Sequence, residues 1–472
     1  MKKEKKIIKK LENIQTIMKG RFKEKLNPEF EKFLSSTKDE YRLIPWDIKT
    51  NLLHIRILLE NNLITANEWR KLVNGFNKVR KTLSSRGEIK KGVGRLAADD
   101  IHMLIESELK KEMGDLADKL HTGKSRNDQV ATTVRWYLSE TIYLNLLDKI
   151  TLLQKALLSQ AKIYYTSQTI IPGYTHLQKA QLIAASHWFL AYIEMLSRDY
   201  DRFKGCARKL IDILPLGASA LAGTALLPKK VELEEIIPFY NYCQNSLDSV
   251  ASRDLYIEFA YCCSSLMTTL SRLMEDLTLW NTEEYGLASF PDEMVTGSSI
   301  MPQKRNLDAA ELVRGKTSRI NGNLVSLLTL MKGLPMSYNR DMQEDKTIIF
   351  DSLDTTIDCL NISTILISNV EINGIKEFNP NIYATDVTDY LVKKGVAFRE
   401  AYNIVGEMVN NKWHLKIGNF NIKGLKTFSN KFEEDVYKIF NPSTSVNAKQ
   451  SPGSTSFESV KKQIEKWDKV IK

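Results

Sequence analysis

Three long stretches of this chain contain no proline. The chain has 12 prolines, but no proline occurs between Pro45 and Pro172, between Pro238 and Pro291, or between Pro335 and Pro380. A proline inside a helix removes a backbone hydrogen bond and clashes with the preceding turn, so its absence lets a helix continue. The spacing of the prolines therefore predicts unusually long helices.

Apolar residues within and beside these stretches repeat at helical spacing. Steps of three and four residues place each set on one side of a helix. The sets are Val134, Leu138, Ile142, Leu146, Ile150, Leu153 and Leu157; Leu266, Leu270, Leu273, Leu277 and Trp280; and Val313, Ile320, Leu324, Leu327, Met331 and Leu334. We expect each set to form the buried seam of a helix in a bundle, and each helix to exceed the usual length.

Patterns typical of strands are nearly absent, apart from short candidates in residues 211–227 and in about the last hundred residues. The sequence therefore predicts a mainly α fold. We expect an N-terminal helical domain at residues 1–112 and a central bundle at 113–368. A small C-terminal helical domain should follow at 369–472, where Gly, Asn and Pro become more frequent.

Composition excludes several classes of protein. Of the 472 residues, 43% are hydrophobic and 26% are charged, and no apolar run approaches the length of a membrane span. The lysines of residues 1–10 precede no apolar secretion signal, so we expect a cytoplasmic protein. The net charge of +10 comes from scattered residues without an aromatic-basic module, so no nucleic-acid partner is predicted. The five cysteines lack C-x-x-C spacing, which favours reduced thiols.

A polar loop at residues 296–306 interrupts the helical pattern. It reads Thr-Gly-Ser-Ser-Ile-Met-Pro-Gln-Lys-Arg-Asn. Gly297 allows the backbone to approach a ligand, and consecutive N–H groups there can form an anion-binding nest. Lys304 and Arg305 add positive charge. The loop is therefore a candidate catalytic segment that binds a carboxylate or an oxyanion.

Two further polar islands interrupt the helical pattern. Residues 121–129 read His-Thr-Gly-Lys-Ser-Arg-Asn-Asp-Gln, and residues 173–181 read Gly-Tyr-Thr-His-Leu-Gln-Lys-Ala-Gln. Each island adjoins a long predicted helix, so we expect its backbone N–H groups to face a ligand from a helix N-terminus.

The three islands together resemble the signature regions of the fumarase/aspartase superfamily. The Gly-Ser-Ser-x-Met-Pro-x-Lys-x-Asn pattern is typical of the whole superfamily. The islands at 121–129 and 173–181, with Tyr-Asn-Arg-Asp-Met-Gln-Glu-Asp-Lys at 338–346, resemble its argininosuccinate lyase family. The resemblance spans most of the chain and implies the reversible elimination of argininosuccinate to arginine and fumarate, the last step of arginine biosynthesis.

The resemblance also implies roles for individual residues. Ser298 would be the general base, stabilised as an alkoxide by loop N–H groups and Lys304. Lys304 and Asn306 would hold the reacting carboxylate. His176 would protonate the leaving nitrogen or orient the proton donor, with Glu311 as its carboxylate partner.

Further residues would bind the substrate. Arg126 can bind a carboxylate through two parallel hydrogen bonds. The set implied for the carboxylates and amino-acid groups is Ser125, Arg126, Asn127 and Thr175, and the set implied for the arginine half is Tyr338, Gln343 and Lys346.

Some of these residues also have a purely structural interpretation. His176, taken alone, is typical of a hydrogen-bonded core histidine. Asp308 and Glu311 fit the N-cap and N3 positions of a capping box.

The histidines show no H-x-x-x-H or H-E-x-x-H pair, and no phosphate-binding or dinucleotide motif occurs, so neither a metal nor a cofactor is predicted.

Two departures from the family pattern affect the predicted site. Leu307 stands where the family usually has proline, which predicts a more flexible loop. Lys124 stands where the family commonly has arginine, so it keeps the positive charge but lacks the paired N–H donors of a guanidinium.

The resemblance implies a homotetramer in which each active site collects its three signature regions from three chains. Two alternatives remain open: another superfamily lyase, such as an adenylosuccinate lyase, and an inactive structural protein like the related lens crystallins. The presence of Ser298, Lys304, His176 and Glu311 argues against the inactive alternative.

Overall fold

A computed structural model describes residues 27–36, 40–85, 100–232, 238–374, 379–411 and 421–471. The predicted mainly α class is confirmed. The lysine-rich segment 1–10 lies outside the described residues. The α-helices, in chain order, are α1 Pro28–Leu34, α2 Ile44–Glu60, α3 Ala66–Ser85, α4 Ile101–Met113, α5 Arg126–Thr141, α6 Leu147–Thr166, α7 Ala185–Leu210, α8 Ser246–Ala251, α9 Asp254–Trp280, α10 Asp308–Met331, α11 Asp345–Asn369, α12 Ala384–Lys393, α13 Phe398–Asn410, α14 Ile422–Lys426, α15 Pro442–Asn447 and α16 Phe457–Val470.

Short 3-10 helices connect several of these elements. They are Tyr41–Leu43, Gly114–His121, Asp292–Met294, Arg340–Glu344, Pro380–Tyr383 and Glu434–Phe440. The two ends of α4, which precedes the 3-10 helix Gly114–His121, show how local residues start and stop a helix. Asp100 caps α4 by accepting a hydrogen bond from Met103 N at 2.7 Å, and Gly114 ends the helix at φ +59°, where a side chain would be strained.

The chain divides into two compact units. The first comprises residues 1–147, 201–264 and 320–354, and the second comprises 148–200, 265–319 and 355–472. The boundaries fall inside long helices, so each unit is assembled from separate segments of the chain. The division into three consecutive domains stays a prediction.

The predicted seams are buried. Every residue of the first seam is at most 1% exposed, and α5 and α6 follow one another along it through a π-helical turn at Ile142–Leu146. Five seam residues of α9, which is 27 residues long, are at most 6% exposed. The seam of the 24-residue α10 is less complete, because Leu324 and Met331 are half-buried and Leu334 lies beyond the helix end.

The described strands are short and pair in twos. β1 Ile170–Thr175 and β2 Gln178–Ala184 form an antiparallel hairpin. β3 Ile213–Leu214 pairs in parallel with β4 Asn241–Tyr242, and β5 Ala288–Ser289 pairs antiparallel with β6 Glu371–Ile372. β3 lies within residues 211–227, where the sequence pattern allowed a short strand. No helix among the described residues is long and apolar enough to cross a membrane.

Candidate active site

The loop at 296–306 is closed at its base. Thr296 N donates to Asn306 O at 3.0 Å, and Asn306 N donates to Thr296 O at 2.8 Å. Thr296 Oγ1 donates to Asp308 Oδ2 at 2.5 Å. Leu307 is 2% exposed, and its carbonyl accepts from Ala310 N at 3.0 Å, which anchors the loop to the first turn of α10. The greater flexibility expected at Leu307 stays a prediction.

Ser298 lies inside this closed loop with its hydroxyl facing backbone donors. Ser298 Oγ accepts hydrogen bonds from Ile300 N at 3.3 Å and from Met301 N at 3.2 Å. Backbone N–H groups fixed around an oxygen favour its anionic form without reorganising during the reaction. The arrangement suits a serine that must act as a base.

The two cations of the loop have different surroundings. Arg305 donates through Nη2 to Phe290 O at 2.9 Å, and its Nη1 pairs with Asp292, so its charge ties the loop to the preceding segment. Lys304 is exposed, and within the described parts of the chain it has no ion-pair partner. Lys304 is therefore the loop cation that is available to a ligand.

His176 lies at the tip of the β1–β2 hairpin. His176 and Leu177 form the two-residue turn, with φ of 54° and 58°. Non-glycine residues are uncommon in this left-handed region, and such strain often occurs at functional sites. We expected this island to lie at a helix N-terminus. That expectation is wrong, because α7 begins only at Ala185 and the island forms the hairpin instead.

Thr175 and His176 are both exposed on this hairpin. Glu311 is exposed in the first turn of α10. No hydrogen bond or ion pair joins His176 to Glu311 among the described residues, so a single chain does not form the expected pair. Asp308 is the first residue of α10, and its carboxylate bonds Thr296, so it does not provide the N-cap of the expected capping box.

The island at 121–129 does lie at a helix N-terminus, as expected. Ser125 is the N-cap of α5 and accepts from Asn127 N at 3.4 Å, while Asp128 Oδ1 accepts from Ser125 N at 2.9 Å. The other oxygen of Asp128 accepts from Gly217 N at 3.0 Å and Ser219 N at 2.8 Å. The capping box thus joins the island to the loop at 217–219.

The neighbouring side chains of this island have partners within the chain. Arg126 pairs through Nε with Asp100 at 3.1 Å and through Nη1 with Glu106 at 3.3 Å. Asn127 Nδ2 donates to Ala220 O at 3.0 Å. Two carboxylates therefore already neutralise the arginine that we predicted to bind a substrate carboxylate.

Lys346 belongs to a buried ion cluster. It lies 3.3 Å from Asp345 and 3.4 Å from Glu40, and Asp345 in turn pairs with Arg253 Nε at 2.5 Å. Burial opposes the charge of Lys346, but Asp345 and Glu40 outweigh it and raise its pKa above the ordinary value. The sequence analysis did not identify Glu40 and Arg253 as members of this cluster, because no spacing rule connects residues so far apart in the chain. Asp345 directly precedes Lys346 in the sequence, but adjacency alone does not show that the two side chains pair.

The other residues predicted to hold the arginine half lie nearby in the sequence. Gln343 Nε2 donates to Leu34 O at 3.2 Å, and Tyr338 is 38% exposed. Among the described residues, no group of three or more His, Cys, Asp and Glu side chains could hold a metal ion.

Lys124 is a buried cation within the island at 121–129. It is 5% exposed, and Nζ donates to Asn51 Oδ1. Burial lowers the pKa of Lys124 to about 8, against the opposing charges of Glu106 and Asp47. Its charge is therefore lost as the pH rises through about 8.

Lys124 directly precedes Ser125 and Arg126, which the resemblance assigns to the substrate, so loss of its charge should weaken substrate binding. Replacement of Lys124 by arginine should extend binding to higher pH, because a guanidinium stays charged throughout this range. We expect the Michaelis constant of the original protein to rise as pH increases above about 8, and that of Lys124→Arg to stay flat there. Steady-state kinetics against pH measure this, with Lys111→Arg on the surface of α4 as the control. Identical profiles for the original protein and Lys124→Arg would contradict the prediction.

Comparisons with known proteins place this fold in a class. A family model described as "Lyase" matches residues 20–322. The structure of an EDDS lyase in complex with formate has a TM-score of 0.77 at 23% identity, covering 96% of this chain and 91% of that chain. A fumarate lyase:delta crystallin from Brucella melitensis has a TM-score of 0.68 at 16% identity, covering 84% and 91%. The chain thus has the fold of the fumarate lyase class.

Sequence relatives define the family more closely. The argininosuccinate lyase of Lactococcus lactis subsp. cremoris is 41% identical over 97% of this chain and 99% of its own length. That of Syntrophus aciditrophicus is 42% identical over 94% of each. A second family model, "Argininosuccinate lyase C-terminal", matches residues 381–447. The chain belongs to the argininosuccinate lyase family, which confirms the resemblance inferred from its motifs.

Proposed function

We propose that this protein is an argininosuccinate lyase, catalysing the reversible elimination of argininosuccinate to arginine and fumarate. The main structural support for this reaction is the closed loop in which Ser298 Oγ faces two backbone N–H donors. The family relationship over nearly the whole chain supports the choice of substrate. A cytoplasmic location and a role in arginine biosynthesis accord with that activity.

The loop supplies the base for the first step. Ser298 Oγ, held as an alkoxide by the N–H groups of Ile300 and Met301, takes the proton from the carbon next to a substrate carboxylate. The electron pair left on that carbon moves into the carboxylate. Lys304 and Asn306 stabilise the resulting double negative charge, and each such donor typically contributes about 3 to 4 kcal/mol. Because Lys304 has no internal ion-pair partner among the described residues, its charge is free for this role.

The second step breaks the carbon–nitrogen bond. The electron pair returns from the carboxylate to form the double bond of fumarate, and the guanidinium nitrogen leaves and gains a proton. His176 supplies that proton or orients the donor, with Glu311 as its carboxylate partner. The exposed position of both side chains is consistent with a pair that forms between chains.

The remaining predicted residues bind the substrate. We assign Ser125, Arg126, Asn127 and Thr175 to its carboxylates and amino-acid groups, and Tyr338, Gln343 and Lys346 to its arginine half. Because Arg126 pairs with the carboxylates of Asp100 and Glu106, it orients the island as well as pairing with the charge of the substrate. Its neighbours Ser125 and Asn127 contact the substrate beside it.

A homotetramer with shared active sites is supported by the exposed face of α10. Small residues recur there at steps of three and four, on the side opposite its buried seam. This small-residue face consists of Gly315, Ser318, Gly322, Ser326 and Thr329, all exposed, with Leu312, Val325 and Leu328 exposed at 62%, 60% and 50% alongside. A Cβ atom added at Gly315 or Gly322 would have no neighbouring atom within 4 Å. Such a face suits close packing against another helix, and Glu311 lies at its N-terminal end.

A direct assay tests the proposed activity. Purified protein should produce fumarate from argininosuccinate, followed by ultraviolet absorbance, and should produce none from adenylosuccinate in a parallel reaction. Turnover of adenylosuccinate alone would assign another superfamily activity. Turnover of neither substrate would favour a structural protein that has kept the fold.

A further inference from the structure

A buried carboxylate outside the predicted site lies at the centre of a polar network in the first unit. Asp47, on α2, is fully buried. Its Oδ1 accepts hydrogen bonds from His102 Nδ1 at 2.7 Å, Gln129 Nε2 at 2.7 Å and Thr133 Oγ1 at 3.2 Å. Its Oδ2 accepts from Asn51 Nδ2 at 2.9 Å, and the same Nδ2 also donates to the backbone carbonyl of Asp47 at 2.9 Å. Burial opposes ionisation, but His102, together with Lys124 and Gln129, outweighs it and keeps the pKa of Asp47 below its ordinary value.

Two of these partners reach onward to a cation. Gln129 Oε1 accepts from Arg126 Nη1 at 3.0 Å, and Asn51 Oδ1 accepts from Lys124 Nζ. An ionised carboxylate only accepts hydrogen bonds, and a lysine or arginine only donates them. Each amide can therefore satisfy both neighbours in one orientation only, with its NH2 toward Asp47 and its oxygen toward the cation.

Lys124 and Arg126 flank Ser125, the N-cap of α5. We propose that Asp47 is a positioning residue for the segment at 124–127, which contains the substrate-binding residues Ser125, Arg126 and Asn127. Its carboxylate fixes the direction of the Gln129 amide and helps to fix that of Asn51, and these two amides hold Arg126 and Lys124. The role in substrate binding rests on the proposed function. The network itself rests only on the geometry of the first unit.

A neutral side chain at position 47 should loosen this arrangement. The amide of an asparagine offers both donors and an acceptor, so the Gln129 amide could turn and present its NH2 group to Arg126, which would then lose its hydrogen-bond acceptor on Gln129. The Asn51 amide would keep its bond to the backbone carbonyl of residue 47 but lose the carboxylate that also orients it. The affected residues lie in the binding segment, whereas Ser298 and its N–H donors are not part of this network.

The test is the Asp47→Asn variant of the full-length protein. We expect its Michaelis constant for argininosuccinate to rise at least about tenfold, the effect of losing one hydrogen bond to a charged group, with kcat within about threefold. Thr133→Val is the matched control, because it removes a hydrogen bond to the same oxygen of Asp47 but leaves both amides in place. The control should keep the original Michaelis constant. An unchanged constant in Asp47→Asn, or an equal rise in both variants, would overturn the proposal.

A second measurement does not depend on turnover. Hydrogen exchange of the ligand-free protein should be at least about tenfold faster at residues 124–129 in Asp47→Asn than in Thr133→Val, because a loosened network opens more often. If the original protein fails to convert argininosuccinate, the proposed function fails while this comparison still decides the positioning role. Equal exchange in the two variants would count against it.

If Asp47→Asn does not fold, another variant, Gln129→Met, can test the positioning role. Gln129→Met leaves Asp47 in place and breaks only the connection to Arg126. We expect faster exchange at residues 124–129 and a severalfold higher Michaelis constant, again through the loss of one hydrogen bond to a charged group. If neither quantity changes, Gln129 does not transmit the effect of Asp47 and the proposal is wrong.

Discussion

Replacement of Ser298 by alanine is expected to lower kcat by at least about a thousandfold, within the range for loss of a general base. The change removes the oxygen that accepts the N–H groups of Ile300 and Met301. Because the base acts only in the transition state, substrate binding should change by less than about threefold. The ends of the loop should remain closed through the Thr296 and Asn306 backbone hydrogen bonds. Stopped assays of fumarate formation and calorimetric titration with argininosuccinate measure the two quantities.

Ser299→Ala is the matched control for this experiment. Ser299 is adjacent, exposed and of the same residue type. It should retain turnover within a few-fold of the original protein. If Ser298→Ala stays active while Ser299→Ala does not, the neighbouring serine is the base. If both stay active, the base lies outside the loop.

Replacement of Gly322 by glutamate is expected to break the proposed tetramer and abolish turnover. Gly322 lies at the middle of the small-residue face of α10, where nothing within 4 Å would meet a Cβ. An added carboxylate would be buried without a partner at each helix contact, which costs several kcal/mol. Glutamate is also a better helix former than glycine by about 0.5 to 1 kcal/mol, so the helix itself should persist.

Light scattering measures the assembly directly. The original protein should have about four times the chain mass of 54.0 kDa, and Gly322→Glu should have a smaller assembly mass with unchanged helical content. Gly406→Glu on α13 is the control, because Gly406 is also helical and open within 4 Å. It should remain tetrameric and active. An active tetramer in Gly322→Glu would show that this face of α10 is not an assembly surface.

The helical architecture was predictable because it depends on local spacing. Proline-free stretches and apolar residues at steps of three and four indicated α9 and the α5–α6 pair without any knowledge of their partners. The π-helical turn at Ile142–Leu146 was not predictable, because its residues keep the same apolar spacing as their neighbours. The hairpin of β1 and β2 was missed for a different reason. A turn formed by His176 and Leu177 lacks the Gly or Asn that usually marks one.

The sequence proposes the residues of the candidate site, but it does not predict the partners that those residues have in the folded chain. The family resemblance implied Ser298 as the base, and in the structure two backbone N–H groups donate to its hydroxyl. The resemblance also implied Arg126 as a ligand of a substrate carboxylate, whereas in the folded chain Arg126 pairs with Asp100 and Glu106. Such pairs join distant segments, and the sequence contains no spacing that encodes them.

The sequence by itself determined the mainly α class, the buried seams and the motifs that identify the family, because each depends on the order of nearby residues. Only the tertiary structure decided which charges are neutralised and which remain available. Lys346 and Lys304 look alike in the sequence, yet one is buried between Asp345 and Glu40 and the other is exposed. The difference arises because burial and pairing depend on segments that meet only when the chain has folded.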